Sequence, residues 1–133
     1  MARRYRDPAS EFEKYKNWLK NLKRASQTRI VLCQKKPDAD LLKSLGISNT
    51  AWLQLPQYKT VEALSESGRE CILLFNVNKR SNELCERTRA LLEEHGVKVS
   101  TRFRKLLLST ELAEVSNLKK YIAAHLVETK REI

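Results

Sequence analysis

The sequence contains, at residues 70–77, the run ECILLFNV, whose centre from Cys71 to Phe75 is the longest fully apolar stretch of the chain. Apolar residues at successive positions, rather than at every second one, are typical of a parallel strand that is covered on both faces. The run therefore predicts a central strand with helices packed on either side of it.

Shorter strand and helix signals alternate before and after this run. Strands are predicted at 29–33, 51–55 and 97–101, and residues 102–108 either extend the last strand or turn into another. Helices are predicted at 8–25, 38–45, 61–67, 81–94 and 111–128. The alternation predicts a small three-layer α/β domain with a mostly parallel four- to five-stranded sheet, helices on both faces, and an N-terminal basic amphipathic helix.

The 133 residues fit one hydrophobic core, since single domains usually have about 100–150 residues. The one candidate boundary lies near 25–27, so residues 1–26 are predicted to form a basic arm with its amphipathic helix and residues 27–133 a single α/β domain. Phe12, Tyr15, Leu19 and Leu22 recur at helical spacing and form an apolar stripe. That helix either packs on the sheet or projects as an arm.

The formal net charge is +10, and the excess lies at the two ends of the chain. Residues 1–36 hold 11 Lys and Arg against 3 acids, residues 37–95 hold 7 against 9, and residues 96–133 hold 8 against 4. Lysine enrichment for solubility would be spread evenly, so the asymmetry indicates a localised basic surface and favours an anionic partner.

The cysteines Cys33, Cys71 and Cys85 are too few for a disulfide framework, and none lies in a CxxC pair. They predict small buried residues in a reducing, intracellular compartment, cytoplasmic or nuclear. The basic N-terminus has no apolar stretch behind it, so no secretory signal is expected. No apolar run approaches the ~18 residues of a membrane span, and no membrane attachment is expected.

The motifs of several chemistries are absent from the sequence. It contains no GxGxxG, GxxxxGK[ST], GxSxG or HExxH motif, and its histidines, His95 and His125, are distant from one another. No cofactor, no metal site and no catalytic residue is therefore predicted. Whether the protein has any catalytic activity stays open, and a protein without one is favoured.

Basic residues follow each predicted strand. In open α/β sheets, ligands bind outside the carboxyl ends of the strands, where helix N-termini also offer free N–H groups to anions. If the sheet is parallel, one edge would gather a set of residues that neutralise phosphates or, for the two aromatics, stack on an exposed base. These residues are Lys35, Lys36, Tyr58, Lys79, Arg80, Arg102, Phe103, Arg104 and Lys105.

A second basic element is the N-terminal arm. Arg3, Arg4 and Arg6 surround Tyr5, a composition typical of short arginine-rich segments that order on nucleic acid. The first helix would continue this basic track along one side. Its candidate residues are Lys16, Lys20, Lys23 and Arg24.

The leading hypothesis is a nucleic-acid-binding protein that contacts the phosphate backbone, with RNA preferred over DNA because aromatics accompany the basic loops. The alternative is an assembly subunit, a homo-oligomer or ribonucleoprotein component that pairs through its first or last helix. A metal-dependent nuclease is the third hypothesis, with Asp38, Asp40 and Glu70 as candidate carboxylates and Lys43 or Lys79 nearby. The sequence leaves strandedness, sequence specificity and oligomeric state open.

Overall fold

The structure of the protein, a computed structural model, describes residues 8–105, with side chains from residue 13 onward. Four strands of this part of the chain form one parallel sheet in the order β2-β1-β3-β4. They are β1 (Ile30–Cys33), β2 (Thr50–Trp52), β3 (Cys71–Leu74) and β4 (Val99–Ser100). The prediction of a mostly parallel sheet is confirmed.

Helices cover both faces of the sheet, as the sequence predicts. They are α1 (Pro8–Ala25), α2 (Lys36–Ser44), α3 (Gln57–Ser67) and α4 (Lys79–Glu94). One core cluster joins α1 and α2 to Val31, Ile72 and Leu74, and the other joins α3 and α4 to Leu32 and Leu73. Neighbouring strand residues alternate between the two clusters, which explains why β3 is apolar at every position.

Three helices begin two to four residues earlier than predicted. Pro37 lies in the first turn of α2, and Pro56 precedes the first residue of α3, because proline is tolerated where no N–H is needed. Helix α4 is capped by Asn78, whose Oδ1 accepts a hydrogen bond from the Ser81 N–H at 2.8 Å. Ser81 and Asn82, polar residues at the predicted start of this helix, lie inside its first turn instead.

The fourth strand is shorter than predicted, and the residues after it do not extend it. Strand β4 has two residues, which lie opposite Cys71 and Ile72. The chain then forms a 3-10 turn, Arg102–Arg104, instead of a further strand. The helix predicted at 111–128 lies outside the described residues.

Helix α1 packs on the sheet and does not project as an arm. Tyr15, Trp18 and Leu22 are buried in the first core cluster. The Trp18 indole N–H donates to the carbonyl oxygen of Phe103 at 2.7 Å, and the two rings meet edge-on with centroids 6.5 Å apart. Within the described residues, the stripe members Tyr15, Leu19 and Leu22 are therefore covered by the protein's own core.

The three cysteines are buried free thiols. Burial is the main cause that raises the pKa of the Cys71 thiol to about 12, and it raises the pKa of Cys33 and Cys85 as well. The thiols therefore stay protonated near neutral pH and behave as small apolar core residues.

No helix in the described part of the chain is long and apolar enough to cross a membrane.

Candidate functional site

The carboxyl ends of β1, β2 and β3 lie at one edge of the sheet, because all three strands are parallel. The chain leaves β1 toward α2 on one face and leaves β3 toward α4 on the other. The order β2-β1-β3-β4 thus reverses direction between β1 and β3. Such a switch point opens a crevice at the carboxyl edge, and it is the usual ligand position in open α/β sheets.

Five of the predicted site residues meet at this edge, and all five are exposed. They are hereafter called the carboxyl-edge surface, which consists of Lys35, Lys36, Tyr58, Lys79 and Arg80. The Lys36 ammonium lies 5.8 Å from the centre of the Trp52 ring, a cation–π contact that fixes its position beside β2. Tyr58 is 58% exposed, so its ring is accessible to a ligand.

The N-termini of α2, α3 and α4 point to the same edge. Their free N–H groups and the positive ends of their dipoles attract anions. Helices usually carry acids in the first turn, but α3 and α4 have none there, and α4 begins with Lys79 and Arg80. Cations at this end of a helix oppose the dipole by roughly 0.3–1 kcal/mol each at exposed positions. A bound anion would offset that repulsion.

Three amide residues follow the two strands at the switch point. Gln34 follows β1, and its Oε1 is buried without a hydrogen-bond partner in the described part of the chain. Asn76 and Asn78 follow β3, and Asn76 is buried. Amides both donate and accept hydrogen bonds, so the exposed one, Asn78, suits contact with a neutral polar group beside the charged surface.

The fourth basic segment does not join this surface as predicted. Phe103 is 9% exposed and packs against Trp18, so the prediction that it stacks on a base is wrong. Arg102 is exposed in a different cleft, near the start of β1. These residues miss the carboxyl-edge surface because β4 is short. It ends opposite Ile72, two residues before β3 ends.

Arg104 does reach the carboxyl edge, but its guanidinium is engaged by the fold. Its Nε donates to the Phe75 carbonyl at 3.0 Å, and its Nη2 donates to the Asn76 carbonyl and to Asn82 Oδ1 at 2.5 and 2.6 Å. It holds the 3-10 turn against the end of β3 and is a positioning residue for the loop that carries Asn76 and Asn78. Lys105, the last described residue, is exposed.

The last basic residues of α1 lie away from the carboxyl edge. The helix runs antiparallel to β1 and ends beside the loop before β2, where the Ser26 carbonyl accepts from Asn49 Nδ2 at 2.6 Å. Lys23 and Arg24 therefore lie toward the amino edge, and the stem of Lys23 passes over Gly46. Lys16 pairs with Glu13 at 3.0 Å, and Lys20 is exposed. Arg3, Arg4 and Arg6 lie outside the described residues.

The carboxylates of the nuclease hypothesis are not gathered. Asp38 is buried in the first turn of α2, Asp40 is exposed, and Glu70 lies at the amino edge, where it pairs with Arg29 at 2.7 Å. Among residues 13–105, no group of three His, Cys, Asp or Glu side chains could hold a metal ion. Glu70 therefore lies at the opposite end of its strand from the carboxyl edge.

Gln34, Asn78 and the exposed Lys59 belong to this edge, but the sequence-based set of site residues omits them. Each lies in a loop or first helical turn that follows a strand, and this location alone could have indicated a residue of the carboxyl edge. Gln34 and Asn78 carry neither a charge nor an aromatic ring, so the sequence does not distinguish them from ordinary loop residues.

No model of a known protein family matches the chain, and no curated protein matches it. Among solved structures, a protein from Aquifex aeolicus is similar, with a TM-score of 0.69 and 28% sequence identity. The match covers 75% of this chain and 94% of the other. It supports the small α/β fold described above.

Proposed function

We propose that this protein binds nucleic acid through the carboxyl-edge surface and that it recognises the phosphate backbone more than the sequence. The observation that carries the proposal is the meeting of four exposed cations with three helix N-termini at the switch-point edge. Both features favour anions, and the cations stand where the helix dipoles alone would disfavour them. A polyanion is the ligand class that satisfies both.

Single-stranded RNA is the preferred form of the ligand. Tyr58 offers an exposed ring beside the cations, and single-stranded nucleic acids bind by stacking bases on such rings. The exposed amide of Asn78 adds a neutral hydrogen-bonding group for base or 2′-hydroxyl contacts. We propose that the protein acts in the cytoplasm or nucleus, where its three free thiols stay reduced.

Binding without cleavage is the form of the proposal that the side chains support. Two-metal and one-metal nucleases use converging carboxylates, whereas the ends of β1 and β3 carry amides next to lysines. Asp38 is the one acid in the first turns of α2, α3 and α4, and it is buried. No catalytic residue is assigned.

The test measures the affinity for a fluorescent single-stranded RNA by anisotropy at low salt. The variant Lys35→Gln, Lys36→Gln, Lys79→Gln, Arg80→Gln removes the four cations of the carboxyl-edge surface and should weaken binding by at least about tenfold. The matched control Lys43→Gln, Arg69→Gln, Arg87→Gln, Lys98→Gln removes four exposed cations elsewhere. Equal losses in the two variants would mean that only the net charge matters and would refute the proposed surface.

An assembly role is the second candidate, and one observation favours it. Leu55, in the loop after β2, is 86% exposed and comes three residues before the exposed Tyr58 in the sequence. A protein partner covering these side chains would bury apolar surface. Light scattering of wild type and Leu55→Ser at low and high salt separates this role, because a salt-resistant oligomer lost in the variant would support it.

A further inference from the structure

A cleft with three arginines lies on the face covered by α1, away from the carboxyl-edge surface. Its volume is about 420 Å³, and it separates the last turn of α1 from β4 and the 3-10 turn. We call it the arginine cleft. The lining residues that matter here are Arg24, Thr28, Arg29, Ser100, Arg102 and Phe103.

The charges of the arginine cleft are only partly balanced. Arg29 is neutralised by Glu70, with 2.7 Å between Nε and Oε2. Arg24 and Arg102 are exposed, and neither forms a salt bridge within the described part of the chain. No acid is among the residues that line the cleft. Two uncompensated guanidinium groups from separate elements thus share one concave site.

The dipole at the carboxyl end of α1 explains the position of Arg24 but not that of Arg102. A helix dipole favours cations in its last turn, so Arg24 alone would need no ligand. Arg102 belongs to the 3-10 turn, and its approach to Arg24 and Arg29 adds like charges to the same cleft. That repulsion is relieved when an anion lies between them.

We propose that the arginine cleft binds an organic phosphate of mononucleotide size. Guanidinium groups donate two parallel hydrogen bonds to phosphate oxygens, and the hydroxyls of Thr28 and Ser100 add neutral donors. Phe103 supplies an apolar wall, and the volume lies in the usual range of about 300–1,000 Å³ for small-molecule sites. The phosphate comes either from a free nucleotide or from a nucleic-acid strand, and the two sources share this chemistry.

The experiment measures binding of inorganic phosphate, AMP and a ten-nucleotide single-stranded RNA by titration calorimetry. The pair Arg24→Gln, Arg102→Gln should weaken AMP binding by about a hundredfold, since each lost bond to a charged group is worth about tenfold. The control pair Arg69→Gln, Arg87→Gln removes two exposed arginines at other sites and should bind like wild type. Arg102→Lys keeps the positive charge but loses the planar guanidinium that donates two parallel hydrogen bonds. This variant should therefore retain only part of the affinity for AMP.

The outcomes separate the two sources of phosphate and the two proposals. Loss of AMP binding in the Arg24, Arg102 pair alone supports a free nucleotide, and loss confined to the RNA supports a strand phosphate. The inference is overturned if the Arg24, Arg102 pair and the control pair bind phosphate, AMP and RNA with the same affinities. It is also overturned if wild type shows no saturable binding. The two proposals fail separately, because RNA binding that is lost in the carboxyl-edge variant and kept in the Arg24, Arg102 pair would support the carboxyl-edge surface and refute a strand phosphate in the arginine cleft.

Discussion

Two basic segments of the chain look alike in sequence and differ in the folded protein. Lys79-Arg80 and Arg102–Lys105 each follow a strand, and each concentrates positive charge. In the structure, Lys79 and Arg80 are exposed at the start of α4, whereas Phe103 is buried and Arg104 is bonded to the end of β3. One segment leaves both of its charges exposed at the carboxyl edge, whereas the other holds the sheet edge against α1 through Phe103 and Arg104.

Strand length and register cause this difference. Strand β3 continues to Leu74, so the loop after it emerges at the carboxyl edge. Strand β4 ends at Ser100, opposite Ile72, and the chain turns back toward α1 before it reaches that edge. A basic residue that follows a parallel strand is therefore exposed at the carboxyl edge only when the strand is long enough, since Arg104 reaches that edge after the short β4 but bonds to the end of β3.

The largest expected effect concerns Phe103. Phe103→Ala should lower the free energy of unfolding by about 3–5 kcal/mol, because it removes a buried ring that packs on Trp18. Urea denaturation measures the loss. The control is Tyr58→Ala, an exposed aromatic, which should change the free energy of unfolding by less than about 0.5 kcal/mol. Similar losses of unfolding free energy in the two variants would contradict the claim that Phe103 belongs to the core.

The next effect compares the two arginines on either side of Phe103. Arg104→Ala should cost about 1.5–3 kcal/mol of stability, since it leaves the Phe75 and Asn76 carbonyls without their charged donor. Arg102→Ala removes an exposed side chain and should change stability by less than about 0.5 kcal/mol. Thermal unfolding of both variants checks this. A larger loss for Arg102 than for Arg104 would contradict the assignment of Arg104 to the fold.

The smallest expected effect concerns Tyr58 in the proposed RNA complex. Tyr58→Ala should weaken binding to single-stranded RNA by about 1–3 kcal/mol, the usual contribution of one stacked base. Tyr58→Phe keeps the ring and should retain most of the affinity. Anisotropy titrations at one fixed salt concentration measure both variants. A loss in Tyr58→Phe as large as in Tyr58→Ala would assign the contribution to the hydroxyl and remove the stacking contact.

The layer order could be predicted from sequence because its signals are local. The apolar run at 70–77 indicates a strand covered on both faces, and alternation with helices indicates parallel strands. From these, the meeting of Lys35, Lys79 and the loop after β2 at one edge follows directly. This part of the candidate surface depends only on strand direction.

The positions that could not be predicted depend on long-range contacts. The burial of Phe103 results from its packing on Trp18, 85 residues earlier in the chain, and no local pattern encodes that contact. The position of Arg102 depends on the residue at which β4 stops pairing with β3. That residue is set by the register of the two strands, which the sequence around Arg102 does not determine. The early start of α3 depends on Pro56, which the pattern treats as the end of a strand rather than the entry to a helix.

The salt dependence of RNA binding tests the central claim most directly. Affinity of wild type for single-stranded RNA, plotted as log K against log salt concentration, should fall with a slope of about −0.7 for each phosphate neutralised. In the variant that lacks Lys35, Lys36, Lys79 and Arg80, the slope should be shallower by about 2 to 3, from the same increment per charge. A wild-type affinity indifferent to salt, or an unchanged slope in the variant, would contradict the account.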